Sequence, residues 1–467
     1  MRKRRKLIND VEIIDIGDKG NSLGRTPDGE IVLVDGAVPG DIIDAQILRK
    51  KKGLKFGRVA LTKVYSQFRV EPTCEHFGVC GGCKWQNLNY TKQLELKENA
   101  VKAAIRRIAN DDESKVAPIV GSERQLLYRN KLEYAFSNKR WITEEEVNSG
   151  VEIENRAAVG FHRAGAFDKV VDIENCLLQE SLTNDIRNFI REYALKHNLS
   201  FYYIRNNEGF LRNLIVRNTL DGQWMICVIF GHEDDQIKPL LSSLIEEFPS
   251  IQSGYYFINP KPNDSIHDLT PIHFHGETKI VETLGQLKCQ IGPKSFFQTN
   301  PAQAEVLYSL AMEYADLEGN EVVYDLYTGT GTIAMYASQF SKKVVGIEQI
   351  AEAISDAKEN ANLNNISNCE FLVGDVKDVL STDFHQKYGR PDVIITDPPR
   401  AGMHKDVVET ILQLESPKVV YISCNPSTQA RDIQILKSKY DLIKCIPVDM
   451  FPHTSHIENV ALLHLKS

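Results

Sequence analysis

The stretch VVYDLYTGTG, residues 322–331, decides the fold. An apolar, β-branched run ends in a glycine turn, and the turn opens onto a helix-like segment. The same unit then recurs. VVGIE leads into AEAISDAKENANLN, and CEFLVGD, DVIITDPPR and VVYISCNP follow, with a closing strand pair near KCIPVDM and NVALLHL. Apolar strands alternating with helices are buried on both faces, which predicts a doubly wound, parallel α/β sheet from about residue 292 onward. Ligands in such sheets bind beyond the carboxyl ends of the strands. Each of these strands ends on residue types suited to chemistry.

The glycine turn Asp325-Leu326-Tyr327-Thr328-Gly329-Thr330-Gly331 allows close approach of a cofactor to the backbone. Glu348 ends the next strand, where a carboxylate can accept both hydroxyls of a ribose. A dinucleotide fingerprint fits less well, because its third glycine is Ala334 here. The fourth strand ends in Asp397-Pro398-Pro399-Arg400, stiffened by two prolines. It resembles the acidic-Pro-Pro motif of S-adenosylmethionine (SAM)-dependent methyltransferases acting on bases, and a dehydrogenase has no use for it. The fifth strand ends in Ser423-Cys424-Asn425-Pro426. A thiol at this edge is placed as a nucleophile, its pKa lowered by nearby backbone donors; the alternative is a buried cysteine acting as a small hydrophobe. In MFPHTSHIE (450–458), Glu458 is a candidate general base. His453 and His456 lack a third ligand at a suggestive spacing and are not taken as metal ligands.

Toward the N-terminus, residues 8–62 read as four or five short strands split by turns, a small barrel. Its RKKKGLKFGR segment, predicted as a basic loop, has six Lys/Arg between Arg49 and Arg58. Residues 1–63 hold 14 Lys/Arg against 9 Asp/Glu, a net of +5, so the chain total of −8 leaves −13 on the rest. Such asymmetry suggests a basic module on an acidic body, or simply a solvated surface with a basic tail, while a small barrel with a basic loop is a familiar way to grip a nucleic-acid backbone. The opening MRKRRK has no apolar stretch behind it and does not read as a secretory signal. No run approaches the length of a membrane span.

Residues 70–90 form a cysteine-rich loop, with Cys74, Cys80 and Cys83 at C-x5-C-x2-C spacing and glycines at 81 and 82. Cys176 is the nearest downstream cysteine to complete a set of four. Four thiolates suit zinc or an iron–sulfur cluster, and spacing does not separate the two. A helix follows over TKQLELKENAVKAAIRRI. Residues 118–290 alternate strands with one helix around 180–196, a mixed α+β region. The expected division is 1–66 barrel, 67–290 central domain and 291–467 catalytic domain.

Taken together, YRNK (128–131), SFFQ-x-N (295–300), D-L-Y-x-G-x-G (325–331), DPPR (397–400), SCNP (423–426) and MFPHTSHIE (450–458) resemble the RNA uracil-C5 methyltransferase family, in particular its iron–sulfur members that modify large-subunit ribosomal RNA. The likeness covers nearly the whole chain, its barrel resembling a TRAM domain. One departure is Thr328, where relatives often carry cysteine. The resemblance implies a Rossmann-like SAM methyltransferase domain, a central α+β iron–sulfur domain and a TRAM/OB-like β-barrel. It implies Cys424 as nucleophile and Glu458 as base. It also implies Gln298, Tyr327, Glu348 and Asp397 at the SAM site, with Thr332 and Asp375 as further contacts. It favours a [4Fe–4S] cluster on Cys74, Cys80, Cys83 and Cys176, and leaves Cys227, Cys289, Cys369 and Cys445 as core residues. The expected protein is a cytoplasmic, monomeric enzyme acting on ribosomal RNA. Its rivals are the same reaction on transfer RNA and an RNA-binding protein without catalysis. An electron carrier would need a second redox partner site, for which no motif is present.

Overall fold

The structure, a computed structural model, describes residues 6–17, 20–153, 155–380 and 384–467. The N-terminal MRKRR run lies outside the described residues. Strands β1 (Leu7–Ile16), β2 (Ser22–Arg25), β3 (Ile31–Asp35), β4 (Ile42–Lys51) and β5 (Leu54–Val64) close into a barrel in the order β1-β2-β3-β5-β4. Alternation puts Val11, Ile13, Val32, Val34, Ile43 and Ala45 inside it. The basic segment is a correction to the expected loop. Lys50 pairs with Lys55 and Lys51 with Leu54, so it is a tight hairpin of β4 and β5. Lys52 and Gly53 both take left-handed φ, 48° and 83°, as a two-residue hairpin turn requires. Lys55 is buried against Glu30, and Arg49 lies over the Phe56 ring at 4.9 Å.

The central sheet runs β12-β11-β10-β9-β6-β7-β8. Its strands are β6 (Lys131–Ser137), β7 (Ala158–Arg163), β8 (Ala166–Asp172), β9 (Leu211–Asn218), β10 (Trp224–Phe230), β11 (Ile251–Ile258) and β12 (Ile272–Gly276). Two helices, Leu182–Lys196 and Ile237–Glu247, pack on it through Ile186, Ile190, Leu240 and Leu244. The second was not expected from sequence. Pro239 and the Ser242-Ser243 pair blur its periodicity, yet Pro239 sits in the first turn, where a missing N–H costs nothing. A hairpin, β13 (Ile280–Leu284) and β14 (Leu287–Ile291), joins this sheet to the next.

The C-terminal sheet consists of β15 (Val322–Leu326), β16 (Lys343–Glu348), β17 (Cys369–Val373), β18 (Val393–Thr396), β19 (Lys418–Ser423), β20 (Tyr440–Val448) and β21 (Glu458–Leu465). Their order is β17-β16-β15-β18-β19-β21-β20. The first five are parallel, and β21 inserts antiparallel between β19 and β20. Helices cover both faces. Pro301–Ala315, Thr332–Ser338 and Ala351–Leu363 bury one side, and Lys405–Leu414 and Pro426–Leu436 the other. Helix α1 (Tyr90–Ala104) joins the second side through Val101 and Ala104. It starts at Asn89, whose side chain accepts from the Lys92 N–H at 2.8 Å. Chain order reverses between β15 and β18, which opens a crevice at their carboxyl ends.

Candidate active site

The residues named from the sequence gather along that crevice. Tyr327, first after β15, holds a left-handed φ of 65°. Glu348 at the end of β16 reaches back across the turn. Its Oε2 accepts from the Gly329 N–H at 3.2 Å and its Oε1 from the Ile350 N–H at 3.1 Å. Gly331 is required for packing, because a Cβ at its φ of +80° would lie 2.9 Å from the Ala357 Cβ. Thr332 begins the helix behind the turn, with its hydroxyl 3.4 Å from that of Thr330. Asp375, after β17, caps a short helix and accepts from the Lys377 N–H at 3.2 Å. Gln298 arrives from another direction. Its carbonyl accepts from Asn130 at 3.2 Å, and its side chain lies beside the Tyr308 phenol.

Three residues not singled out from the sequence belong to this neighbourhood. Tyr308 is fully buried between Gln298 and the Asp325 and Asp397 carboxyls, and its phenol is pushed well above its ordinary value by burial and then by Asp397. Asp325 is fully buried; its Oδ2 accepts from Thr328 Oγ1 at 2.5 Å, and among the described residues no hydrogen bond reaches its Oδ1. Burial raises its carboxyl to about 7. Arg400 is the third. No periodicity marks Tyr308, since it is one of several apolar positions on Pro301–Ala315, whereas Asp325 and Arg400 stand inside the quoted motifs.

The register of β19 and β21 brings the two chemical residues together. Ser423 pairs with Asn459, so Cys424 and Glu458, one step further on each strand, face each other. Asp397 is the first residue after the neighbouring strand β18, and Arg400 lies three positions further on. The Cys424 thiol is raised to about 11, by burial first, then by Glu458 and Asp397, with Arg400 opposing. The expected lowering by backbone donors is therefore corrected: Cys424 has such a donor, but burial and two carboxyls outweigh it. Burial and Asp397 push the Glu458 carboxyl well up, again against Arg400. Asp397 is raised to about 7 by burial. A low-dielectric pocket of three acids and one cation holds the acids toward their neutral forms.

The three cysteines of the C-x5-C-x2-C loop and Cys176 also converge. Cys74, Cys80, Cys83 and Cys176 are free thiols lining one cavity of about 310 Å³, together with Thr454 and His456. Gly81 allows the loop to lie on β7, because a Cβ there would sit 2.5 Å from the His162 carbonyl oxygen. Cys176 is held through its N–H, which donates to Asn184 at 2.8 Å. Burial raises Cys80 to about 11 and Cys83 to about 12. Among the described residues, no three His, Cys, Asp or Glu side chains are set to hold a single metal ion. His456 lies on the cavity wall, and Arg400 reaches its Nδ1 at 3.3 Å. His453 is turned to helix α1. Cys227, Cys289 and Cys445 are buried in the cores and Cys369 is half-buried.

The strand order, the glycine turn tied to a carboxylate on β16 and the acidic-Pro-Pro end of β18 define a SAM-dependent methyltransferase fold. Residues 286–466 match the tRNA (Uracil-5-)-methyltransferase family model and residues 8–60 the TRAM domain. An uncharacterized RNA methyltransferase of Bacteroides thetaiotaomicron is 49% identical over 96% of this chain and 99% of its own. One of Porphyromonas gingivalis is 46% identical over 97% and 99%. The crystal structure of the Pyrococcus abyssi tRNA (uracil-54, C5)-methyltransferase in complex with S-adenosyl-L-homocysteine is similar with a TM-score of 0.75 and 27% identity, over 98% of this chain and 100% of that one. The chain belongs to the RNA (uracil-5-)-methyltransferase family. No helix among the described residues is long and apolar enough to cross a membrane.

Proposed function

We propose that this enzyme methylates C5 of a uridine in ribosomal RNA through a covalent bond between Cys424 and C6. The observation that carries the reading is the β19–β21 register, which sets Cys424 against Glu458 with Asp397 and Arg400 alongside. Uracil C5 is too weak a nucleophile to take a methyl group unaided. Addition of the Cys424 thiolate to C6 forms a C–S bond and an enolate, which makes C5 carbanion-like. When bound at these strand ends, SAM supplies an electrophilic methyl carbon and a sulfonium charge, and a cation there favours ionised Cys424 and Glu458. C5 takes the methyl and S-adenosylhomocysteine leaves. Glu458 then removes the C5 proton, the C6–S bond breaks, and the thiolate returns. The net products are 5-methyluridine, S-adenosylhomocysteine and one proton.

Gln298, Tyr327, Glu348 and Asp397 hold the cofactor in this reading, with Thr332 and Asp375 at its margin. Asp397 also faces the target base. Cys74, Cys80, Cys83 and Cys176 would hold a [4Fe–4S] cluster. The four free thiols line one cavity, and it is the resemblance to the iron–sulfur members of the family that favours a cluster over zinc. Methylation needs no electron, so the cluster serves structure or the positioning of RNA. The chain divides at 66/67 and 290/291 and acts as a cytoplasmic monomer.

The basic barrel and the cysteine loop support ribosomal RNA. A second reading, transfer RNA, has its own observation: the Pyrococcus abyssi enzyme, named for tRNA, matches 98% of this chain, so the barrel region does not by itself separate the two. Mass mapping of 5-methyluridine in both RNA pools from cells lacking the gene tests the reading. Loss from large-subunit ribosomal RNA is expected. Loss confined to transfer RNA selects the second reading, and no loss in either pool refutes both.

A further inference from the structure

Glu458 begins β21, and residues 449–457 connect it to β20. This turn is held by residues some 350 positions earlier in the chain. Helix α1 presents Tyr90, Gln93 and Lys97 at i, i+3 and i+7, on one face. The Tyr90 hydroxyl donates to Asp449 Oδ2 at 3.0 Å. Lys97 donates to Asp449 Oδ1 at 2.6 Å and to the Phe451 carbonyl at 3.1 Å, and both partners of the ion pair are fully buried. Gln93, also fully buried, joins two segments. Its Oε1 accepts from the His453 N–H at 2.9 Å, and its Nε2 lies 3.2 Å from His453 Nδ1. The same Nε2 donates to the Trp85 and Leu88 carbonyls at 3.0 and 2.8 Å. The cysteine loop completes the grip, because the Lys84 and Trp85 N–H groups both donate to the His453 carbonyl, at 2.9 and 3.1 Å.

An apolar helix face would pack this region without burying a lysine, a glutamine and an aspartate. Burying such groups is favourable only when each is satisfied, and a satisfied network fixes one backbone arrangement where apolar packing tolerates several. What is fixed here is residues 449–453, next to Val448, which pairs with Glu458 across β20 and β21. Proton removal comes after methyl transfer and needs a base held close to C5, whereas attack by Cys424 depends on another strand.

We propose that helix α1 and the cysteine loop clamp the 449–453 turn and thereby set Glu458, with Gln93 as a positioning residue for removal of the C5 proton. The inference rests on the reading of Glu458 as the base. A base displaced by about 1 Å loses up to roughly 100-fold in its own step. Gln93→Leu should therefore form the covalent complex with ordinary ribosomal RNA and SAM as wild type does, but break it down roughly 10- to 100-fold more slowly. Its adduct with 5-fluorouridine-substituted RNA, which needs no proton removal, should form at the wild-type rate.

The assay is rapid-quench gel analysis of covalent protein–RNA complex, with S-adenosylhomocysteine binding as a check on folding. Should Gln93→Leu fail to fold, Tyr90→Phe removes one contact to Asp449 and should slow breakdown in the same direction by less. Formation and breakdown falling together, or neither changing, overturns the clamp. Glu458→Gln separates the two claims. If it accumulates no complex, the base assignment fails. If it does accumulate complex and the clamp variants do not, only the clamp fails.

Discussion

Arg400 is the side-chain cation that favours the ionised forms of both Cys424 and Glu458, and its removal has a calculable consequence. Arg400→Gln keeps a polar side chain and deletes the charge that lies beside His456 Nδ1. A neighbouring opposite charge shifts a pKa by roughly 1–3 units. At Cys424 the arginine ranks below burial, Glu458 and Asp397, so about one unit is the expected upward change. One unit is about 1.4 kcal/mol, or tenfold in thiolate at any pH below the pKa. The wild-type thiol stands at about 11, so at pH 8 alkylation of Cys424 by iodoacetamide, followed by peptide mass spectrometry, should slow about tenfold in the variant. Raising the pH by about one unit should restore the rate. The readout needs neither RNA nor SAM, so substrate binding does not confound it. An unchanged pH profile, or a loss that higher pH does not recover, would refute the electrostatic reasoning.

Asp397 has a folded-state pKa raised to about 7 from 3.8. Its burial therefore costs stability progressively as pH rises from about 4 to 7 and fully above that. Asp397→Asn should raise the melting temperature of the unliganded enzyme at pH 8 and little at pH 4, while weakening S-adenosylhomocysteine binding in calorimetry. Gly331→Ala puts a Cβ 2.9 Å from that of Ala357 in left-handed backbone. It should destabilise the fold by about 2–5 kcal/mol in urea titration, from strain and overpacking together. Protein purified without oxygen should carry about four iron atoms per chain in metal analysis, and Cys83→Ser should lose them; stoichiometric zinc would contradict the cluster.

Much of the catalytic sheet was readable because several functional residues sit at or just past a strand's end, and strand ends are marked by apolar runs stopping at Gly, Pro or charged residues. Asp397 and Cys424 were found this way. The partnership of Cys424 with Glu458 was not readable from spacing, since it depends on β21 inserting antiparallel beside β19. Nor was the Gln93–His453 contact, which spans 360 positions and lies on a helix whose periodicity reports only that one face is buried. The basic segment shows a different limit. Lysines are depleted in strands, yet two left-handed residues at Lys52-Gly53 let these form a hairpin. Electrostatics failed in sign at Cys424 because a sequence reveals the backbone donors of a strand end but not how deeply the thiol is buried or which carboxyls face it.

The covalent step is tested most directly by incubating the enzyme with SAM and 5-fluorouridine-substituted ribosomal RNA, then mapping the cross-linked residue by mass spectrometry. Fluorine at C5 leaves no proton for Glu458 to remove, so the complex cannot break down after methyl transfer. A stable adduct on Cys424 that carries the transferred methyl group and is absent from Cys424→Ala is expected. An adduct that persists in Cys424→Ala, or methylation of ordinary uridine by that variant, would contradict it.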